Sequence, residues 1–228
     1  MVDEEIPELN PPSPERVAER ALVLSAVVCR SGIECDAGKA DAEKFRQAVV
    51  DWVKNLHLDA EAEAAEMEML QTPLGKLDKK LVLDASWRTE GLAVLAWGLG
   101  RYGLPRYDKQ AIGFAAADVL GFMQPRERTV LRAPELRSRA QIAALADQLF
   151  TLHWRLRQFS LDHKAIDFEE VARTAWFGPL KLEGLSLNEK DLEIYGFPIS
   201  VTMRSMCLHP ELSPLSRPGS WGGFCVMS

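Results

Sequence analysis

A run of ten residues near the middle of the chain, 91–100, carries no charged or hydroxyl-bearing side chain. Arg88 and Glu90 come immediately before this run, so two charges stand at the edge of an apolar segment. A helix that is apolar on every side is stable only where other elements cover every side. We therefore predict that residues 87–99 form the buried central helix of the fold, with Arg88 and Glu90 neutralised by partners on other elements.

Apolar residues recur at helical spacing over most of the chain. The pattern, with Ser13, Asp41, Asp59, Asp108 and Asp167 as candidate N-caps, predicts helices over residues 14–30, 41–56, 59–70, 78–102, 108–123, 134–160 and 168–177. After residue 178 the period changes, and residues 191–199 have the pattern of a tight hairpin that turns at Tyr195-Gly196. The prediction is a mainly α fold: a multi-helix bundle around a central buried helix, with a small β-hairpin near the C-terminus.

The length of 228 residues suits one substantial domain with short appendages. We expect a disordered acidic lead-in over residues 1–12 and a helical domain over residues 13–180. Residues 181–200 are expected to form the β-hairpin appendage of the same domain. Residues 201–228 are rich in serine, proline and glycine and are expected to be an irregular tail.

Charge and cysteine content exclude several classes of protein. A net charge of −6 disfavours broad nucleic-acid binding, because phosphates repel an acidic surface. The four cysteines (Cys29, Cys35, Cys207 and Cys225) have no C-x-x-C spacing, and the four histidines add no local ligand pattern. We therefore expect no metal site, no cofactor and no disulfide framework.

Two further patterns concern the location of the protein. The first fifteen residues are acidic and contain no base, whereas a secretory signal starts basic. No apolar stretch is long enough to span a bilayer. Together with the sparse thiols, these features predict a cytoplasmic protein that does not associate with a membrane.

Glu90 is the first candidate for chemistry. It shares a helix face with Val94 and Trp97, so its carboxylate is expected to face apolar neighbours and could act as a general acid or base. The competing interpretation is that Glu90 is a structural charge, tied to another helix by a buried salt bridge.

The long helix of the second half supplies the other candidates. Its apolar stripe steps by three and four residues through Ile142, Leu145, Leu149, Leu152, Leu156 and Phe159. His153 flanks this stripe and is either a satisfied core group or a titrating base. Asp147, Phe150, Trp154 and Arg157 form the adjoining stripe. The constellation that could carry chemistry is Arg88, Glu90, Asp147, His153 and Arg157, but it lacks a recognisable nucleophile, metal set or phosphate loop.

These features favour a binding or interaction module that uses a groove or surface of the helical bundle. Its partner would be a protein or a small molecule, contacted through Trp87, Arg88, Trp154 and Arg157; the oligomeric state stays open. One alternative is a hydrolase-like enzyme with Glu90 and His153 as acid and base, assisted by Asp147. Another is an anion binder that uses an arginine patch made of Arg126, Arg128, Arg132, Arg137 and Arg139.

Four sequence blocks, taken in order, resemble a known family. They are residues 66–75, residues 86–99 with Leu104-Pro105, residues 137–157 and residues 191–199. Over residues 16–200 the chain is similar to the bacterial family of domains of unknown function numbered 4272. The resemblance supports the helical fold and implies no particular activity. Where the family continues with a further helix, residues 203–228 depart from its pattern, and we hypothesise that this ending is not the family's own.

Overall fold

The structure is a computed structural model that describes residues 11–201. Most of the expected lead-in and nearly all of the expected tail, with Cys207, His209 and Cys225, lie outside the described residues. Within them the chain forms two compact units, which are divided between Arg137 and Ser138. The elements of both units confirm a mainly α fold with a small antiparallel sheet near the C-terminal end.

The first unit consists of α-helices joined by turns and single 3₁₀ turns. The α-helices are α1 (Pro14–Cys35), α2 (Ala42–Asn55), α3 (Ala64–Gln71), α4 (Lys79–Gly98) and α5 (Gly113–Val119), and the 3₁₀ turns are Leu58–Ala60, Arg126–Arg128 and Val130–Arg132. The Ser13 hydroxyl caps α1 by accepting from the backbone N–H of Arg16, as predicted.

Three other predicted caps of this unit are wrong. Asp41 precedes α2 but makes no capping hydrogen bond, and Asp59 lies inside a 3₁₀ turn. Asp108 is buried and forms an ion pair with Arg106, and α5 begins four residues later than an Asp108 cap would place it. The ion pair holds this carboxylate close to its own turn, away from the start of α5.

The buried helix of the first unit is α1. Every residue from 21 to 33 is buried, and α2, α3, α4 and α5 all contact this helix. The predicted central helix lies within α4, which contacts α1 and buries only Leu92 and the small residues Ala85, Ala93 and Ala96. The large side chains on its other faces stay in water, as in Trp87, which is 47% exposed, and Val94. The predicted identity of the central helix is therefore wrong.

Arginines of α1 and α2 form hydrogen bonds to α3 and to the turn that follows it. Arg20 binds the Glu66 carboxylate with both terminal nitrogens, at 2.6 and 2.7 Å. Buried Arg30 donates to the carbonyl oxygen of Thr72, and buried Arg46 donates to that of Leu70. The last carbonyls of a helix have no partner within it, so these arginines satisfy groups that would otherwise need water.

The second unit is built on one long helix. Its elements are α6 (Arg139–Asp162), α7 (Phe168–Thr174), β1 (Leu187–Asn188), β2 (Asp191–Ile194) and β3 (Phe197–Pro198), with the strands antiparallel in sequence order. The predicted hairpin is confirmed: Ile194 pairs with Phe197, and Tyr195 and Gly196 both have positive φ, as a two-residue turn requires. Ser138 starts α6 with a capping box to Gln141, and Asp167 caps α7 as predicted.

The covered part of α6 is smaller than its apolar pattern predicts. Of the predicted stripe, Leu152 and Phe159 are buried, whereas Ile142 and Leu149 are exposed. The remaining buried positions are Thr151 and Arg155. One side of α6 is therefore not covered by other elements, and the candidate site lies on this side. We call it the open side of α6.

Candidate functional site: an aromatic groove in the second unit

A groove of about 870 Å³ lies on the open side of α6. Its lining, which we call the aromatic groove, consists of Asp147, Phe150 and Trp154 of α6, Val171 and Thr174 of α7, and residues 175–180. All of these residues belong to the second unit. The groove is therefore a property of this unit alone.

One wall of the groove is a single face of α6. Asp147, Phe150 and Trp154 stand three and four residues apart, which places them one above the other on a helix. The Trp154 indole lies parallel to the ring of Phe168, with centroids 6.0 Å apart and an interplanar angle of 2°. Because Phe168 is fully buried, this contact holds the Trp154 ring in place on one side. Other atoms of Trp154 line the groove.

The opposite wall presents aromatic rings in several orientations. Phe177 meets Phe150 edge-to-face at 6.4 Å and 86°, and Trp176 at 5.5 Å and 88°. Its ring is tilted by 44° relative to Trp154 at 6.0 Å. Trp176 is 94% exposed and Phe150 is 56% exposed. Four aromatic side chains thus border one concave surface and keep much of their area in water.

Hydrogen bonds hold the second wall in place. The Thr151 hydroxyl accepts from the backbone N–H of Lys181 at 3.0 Å, and the Gln148 amide donates to the carbonyl of Gly184 at 2.9 Å. Gly184 has a φ of +77°, and a Cβ there would lie 2.5 Å from the Gln148 amide nitrogen. The wall is therefore anchored to α6 by side chains that neighbour the lining residues.

A buried ion pair fastens the sheet to α6 behind the groove. The Arg155 Nε and Nη2 atoms donate to the two Asp191 oxygens at 2.6 and 2.5 Å, and both side chains are almost completely buried. Arg155 also donates to the carbonyl of Lys164, while Asp191 accepts from the backbone N–H groups of Leu192 and Ile166. Such an ion pair tolerates burial because hydrogen bonds satisfy both charged groups.

Sequence reasoning missed this ion pair although both residues lie in the blocks quoted for the family resemblance. The signal available was the position of Arg155 between Leu152 and Phe159, at core spacing on α6. It also missed Trp176 and Phe177, whose only sign was an aromatic pair just before Gly178-Pro179.

Asp147 supplies the charge of the aromatic groove. It is the only ionisable side chain in the lining that the structure describes. Within residues 11–201 its carboxylate forms no hydrogen bond or ion pair. The groove therefore combines aromatic faces with one unpaired negative charge.

A second, smaller groove of about 570 Å³ runs along the other side of α7 and has a different character. Four of its seven charged side chains are paired, Lys190 with Asp167 and Arg173 with Glu170. The hydrogen bond and charge of Asp167 raise the pKa of Lys190 above its ordinary value. A ligand that bound at either pair would have to displace an internal partner, and the lining contains no aromatic side chain, so this groove is the weaker candidate.

The sequence candidates of the second unit separate into two groups. Asp147 and Trp154 line the aromatic groove. His153 and Arg157 are exposed on α6 and lie outside the lining. The stripe of Asp147, Phe150 and Trp154 therefore marks the groove, while the neighbouring histidine does not take part in it.

The candidates of the first unit lie on the surface of α4. Trp87, Arg88 and Glu90 are all exposed, so the expected burial of Glu90 among apolar neighbours is wrong. Its carboxylate accepts a hydrogen bond from the backbone N–H of Ala111 at 3.1 Å. The reason is that α4 turns its alanines, and not Glu90, towards α1. Glu90 and His153 belong to different units.

The predicted arginine patch is divided by a local contact. The Arg137 guanidinium lies over the Trp97 ring at 4.8 Å, and its Nε donates to the Trp97 carbonyl at 2.7 Å. Arg126, Arg128 and Arg132 are exposed. The Nε atom and one face of the Arg137 guanidinium are therefore occupied by α4.

The described residues offer neither a metal site nor a membrane-spanning helix. Among the described residues, no group of three or more histidine, cysteine, aspartate or glutamate side chains lies close enough together to hold a metal ion. In the same part of the chain, no helix has both the length and the apolar composition that crossing a membrane requires.

The comparisons with known proteins gave one match. The sequence model of a family described as a domain of unknown function (DUF4272) matches residues 2–172. The match includes α1 to α6 and most of α7, and it ends before the hairpin of residues 191–199 and before Trp176 and Phe177. A search of the curated proteins and of the solved structures found no match.

Proposed function

Since the chain belongs to the family described as domain of unknown function 4272, whose description names no reaction, we propose that it is a ligand-binding protein whose site is the aromatic groove. The proposed location is the cytoplasm, which the low cysteine content of the chain supports. The observation that carries the proposal is the exposure of Phe150, Trp176 and Phe177 around one concave surface.

Aromatic side chains contribute large apolar areas, and keeping them in water has a free-energy cost that an occupant would offset. Small-molecule sites are typically concave, about 300–1,000 Å³ in volume, and lined by apolar and aromatic groups with few polar ones. The aromatic groove, at about 870 Å³ with one ionisable side chain, has these properties. A small molecule is therefore a better fit than an extended protein surface.

The proposal is tested by mapping where small aromatic and apolar probes bind. Phenol and 2-propanol are titrated separately into the ¹⁵N-labelled full-length protein, and the tryptophan indole N–H resonances are followed by NMR. We expect the resonances of Trp154 and Trp176 to shift with both probes. The resonance of Trp87, which is exposed on α4, should stay in place.

A matched pair of variants locates the binding. Phe150→Ser removes a half-exposed wall of the groove, and Trp87→Ser removes an aromatic residue of similar exposure in the first unit. Phe150→Ser should abolish the probe-induced shifts, and Trp87→Ser should leave those of Trp154 and Trp176 unchanged. Shifts that map to α4, or that survive Phe150→Ser, would overturn the proposal.

A further inference from the structure

The composition of the aromatic groove identifies a class of ligand. We propose that the groove takes a free organic cation with an alkylated ammonium group, held against the faces of Phe150, Trp154 and Trp176 with Asp147 as its counter-charge. This inference rests on the proposed function and narrows it.

The first argument is charge. Asp147 is the only ionisable residue of the described lining, and its carboxylate has no ion pair within the described part of the chain. An anionic ligand would be repelled by it, and a neutral ligand would gain nothing from it. A cationic ligand is attracted by this carboxylate without displacing an internal partner.

The second argument is the arrangement of the rings. The face of an aromatic ring carries partial negative charge and attracts cations within about 6 Å of the centroid. Phe177 is nearly perpendicular to Phe150 and Trp176 and is tilted by 44° relative to Trp154, so the four rings around the groove are not all parallel. Rings set at such angles can surround a compact, roughly spherical group from several directions, which is the shape of an alkylated ammonium.

The third argument is that the site is largely pre-formed. Trp154 is held by its contact with Phe168. The wall of residues 175–180 is tied to α6 at its end, where the backbone N–H of Lys181 donates to the Thr151 hydroxyl. A ligand that enters rings already held in place loses less free energy to ordering them.

The test compares two probes of the same shape. Choline and 3,3-dimethyl-1-butanol differ by the charge of one central atom, and each is titrated into the full-length protein while tryptophan fluorescence is recorded. We expect choline to bind about 2- to 30-fold more tightly than the neutral alcohol, the range that a cation–π contact provides.

Variants then assign the preference to the groove. Asp147→Asn should reduce the preference for choline by up to about fivefold, as expected for losing an exposed charge pair. Asp162→Asn, at the other end of α6, should leave the preference unchanged. Full preference in the Asp147→Asn variant would overturn the assigned counter-charge and with it the inference.

The remaining outcomes separate the two proposals. Equal affinities for choline and the neutral alcohol overturn the cation inference, while the ligand-binding function stands if phenol and 2-propanol still map to the groove. If no probe binds there, both proposals fail. Binding of phosphatidylcholine vesicles without binding of free choline also overturns the inference, because it identifies a membrane headgroup instead of a free ligand.

Discussion

Both units of the protein are organised by one long helix, but they cover it to different extents. In the first unit α1 is buried over residues 21–33 and is contacted by four other α-helices. In the second unit α6 is longer, yet its buried positions are confined to its C-terminal half. A helix covered on all sides stabilises a fold and offers no site, whereas a helix covered on one side leaves a face that can bind.

The two units also use buried arginines differently. In the first unit Arg30 and Arg46 donate to backbone carbonyls at the end of α3, and their carboxylate partners, Glu34 and Glu43, keep some contact with water. In the second unit Arg155 pairs with a buried carboxylate of the sheet. Loss of one partner should therefore be most costly in the second unit, where an unpaired charge would remain in the interior.

The largest expected effect is at the Arg155–Asp191 pair. Asp191→Ala leaves the Arg155 guanidinium buried without its counter-charge and should lower the free energy of unfolding by about 3–5 kcal/mol. Chemical denaturation of the full chain measures the loss, and amide exchange should place it in residues 139–201.

A double variant sharpens this prediction. In Arg155→Met with Asp191→Leu no buried charge is left unpaired, so most of the stability lost in Asp191→Ala should return. Asp162→Ala serves as the control, because its side chain is about half exposed, and it should change stability by less than about 1 kcal/mol. A similar loss in the double variant would mean that the pair is not the source of the effect.

The next largest effect tests which helix is the core of the first unit. Leu22→Ala in α1 empties a fully buried position and should cost about 2–5 kcal/mol. Leu83→Ala in α4, where the side chain is 56% exposed, should change stability by about 0.5 kcal/mol or less. Thermal and urea unfolding measure both variants, and equal losses would contradict the assignment of α1 as the buried helix.

A smaller effect concerns Glu66 and acid. Burial alone would raise the pKa of Glu66, but hydrogen bonds from Arg20 and from the backbone N–H of Glu63, with the charge of Arg20, outweigh it and hold the pKa below its ordinary value of 4.5. The contribution of Glu66 to stability is therefore complete above about pH 4.5 and is lost as the pH falls through the lowered pKa.

Glu66→Gln should reveal this contribution. The variant should be about 1–3 kcal/mol less stable than the parent at pH 7, because Arg20 loses a charged partner. The difference should shrink as the pH is lowered below 4.5. Urea titrations across this range measure it, with exposed Glu68→Gln as the control. A constant difference at all pH values would show that the Arg20 pair does not set the acid response.

The smallest effect is expected in the groove itself. Trp176 is 94% exposed, so Trp176→Ala should change the free energy of unfolding by about 0.5 kcal/mol or less. Differential scanning calorimetry measures this change. A loss above 1 kcal/mol would mean that Trp176 supports the fold, and the contrast between a stabilising first unit and an open second unit would weaken.

Several features decided by near neighbours in sequence could be predicted, although the caps expected at Asp41, Asp59 and Asp108 were wrong. The Ser13 cap, the Asp167 cap and the turn at Tyr195-Gly196 each depend on atoms only a few residues apart, and the structure has all three. The stripe of Asp147, Phe150 and Trp154 was likewise readable from helical spacing, and it forms one wall of the groove. Local geometry limits such features to few arrangements.

Features that join distant parts of the chain were not predicted. Residues 21–29 and 91–100 both lack charges, so apolar composition alone could not say which segment is covered. The structure buries α1 because four other α-helices contact it, whereas α4 contacts mainly α1 and α5 and buries only four of its residues. The Arg155–Asp191 pair and the contact between Phe150 and Phe177 join residues more than 25 positions apart, for which helical spacing carries no information.

The amino-acid sequence alone determined the helical class, the hairpin and the family of this protein, because periodicity, caps and turn residues act over a few positions. The tertiary structure alone decided which helix is enclosed, where the charges find partners and which aromatic side chains border a groove. The physical reason is that the burial of a residue depends on which elements pack against it. The hydrogen bonds within a helix form between residues close in sequence, so they do not determine which other helix lies beside it.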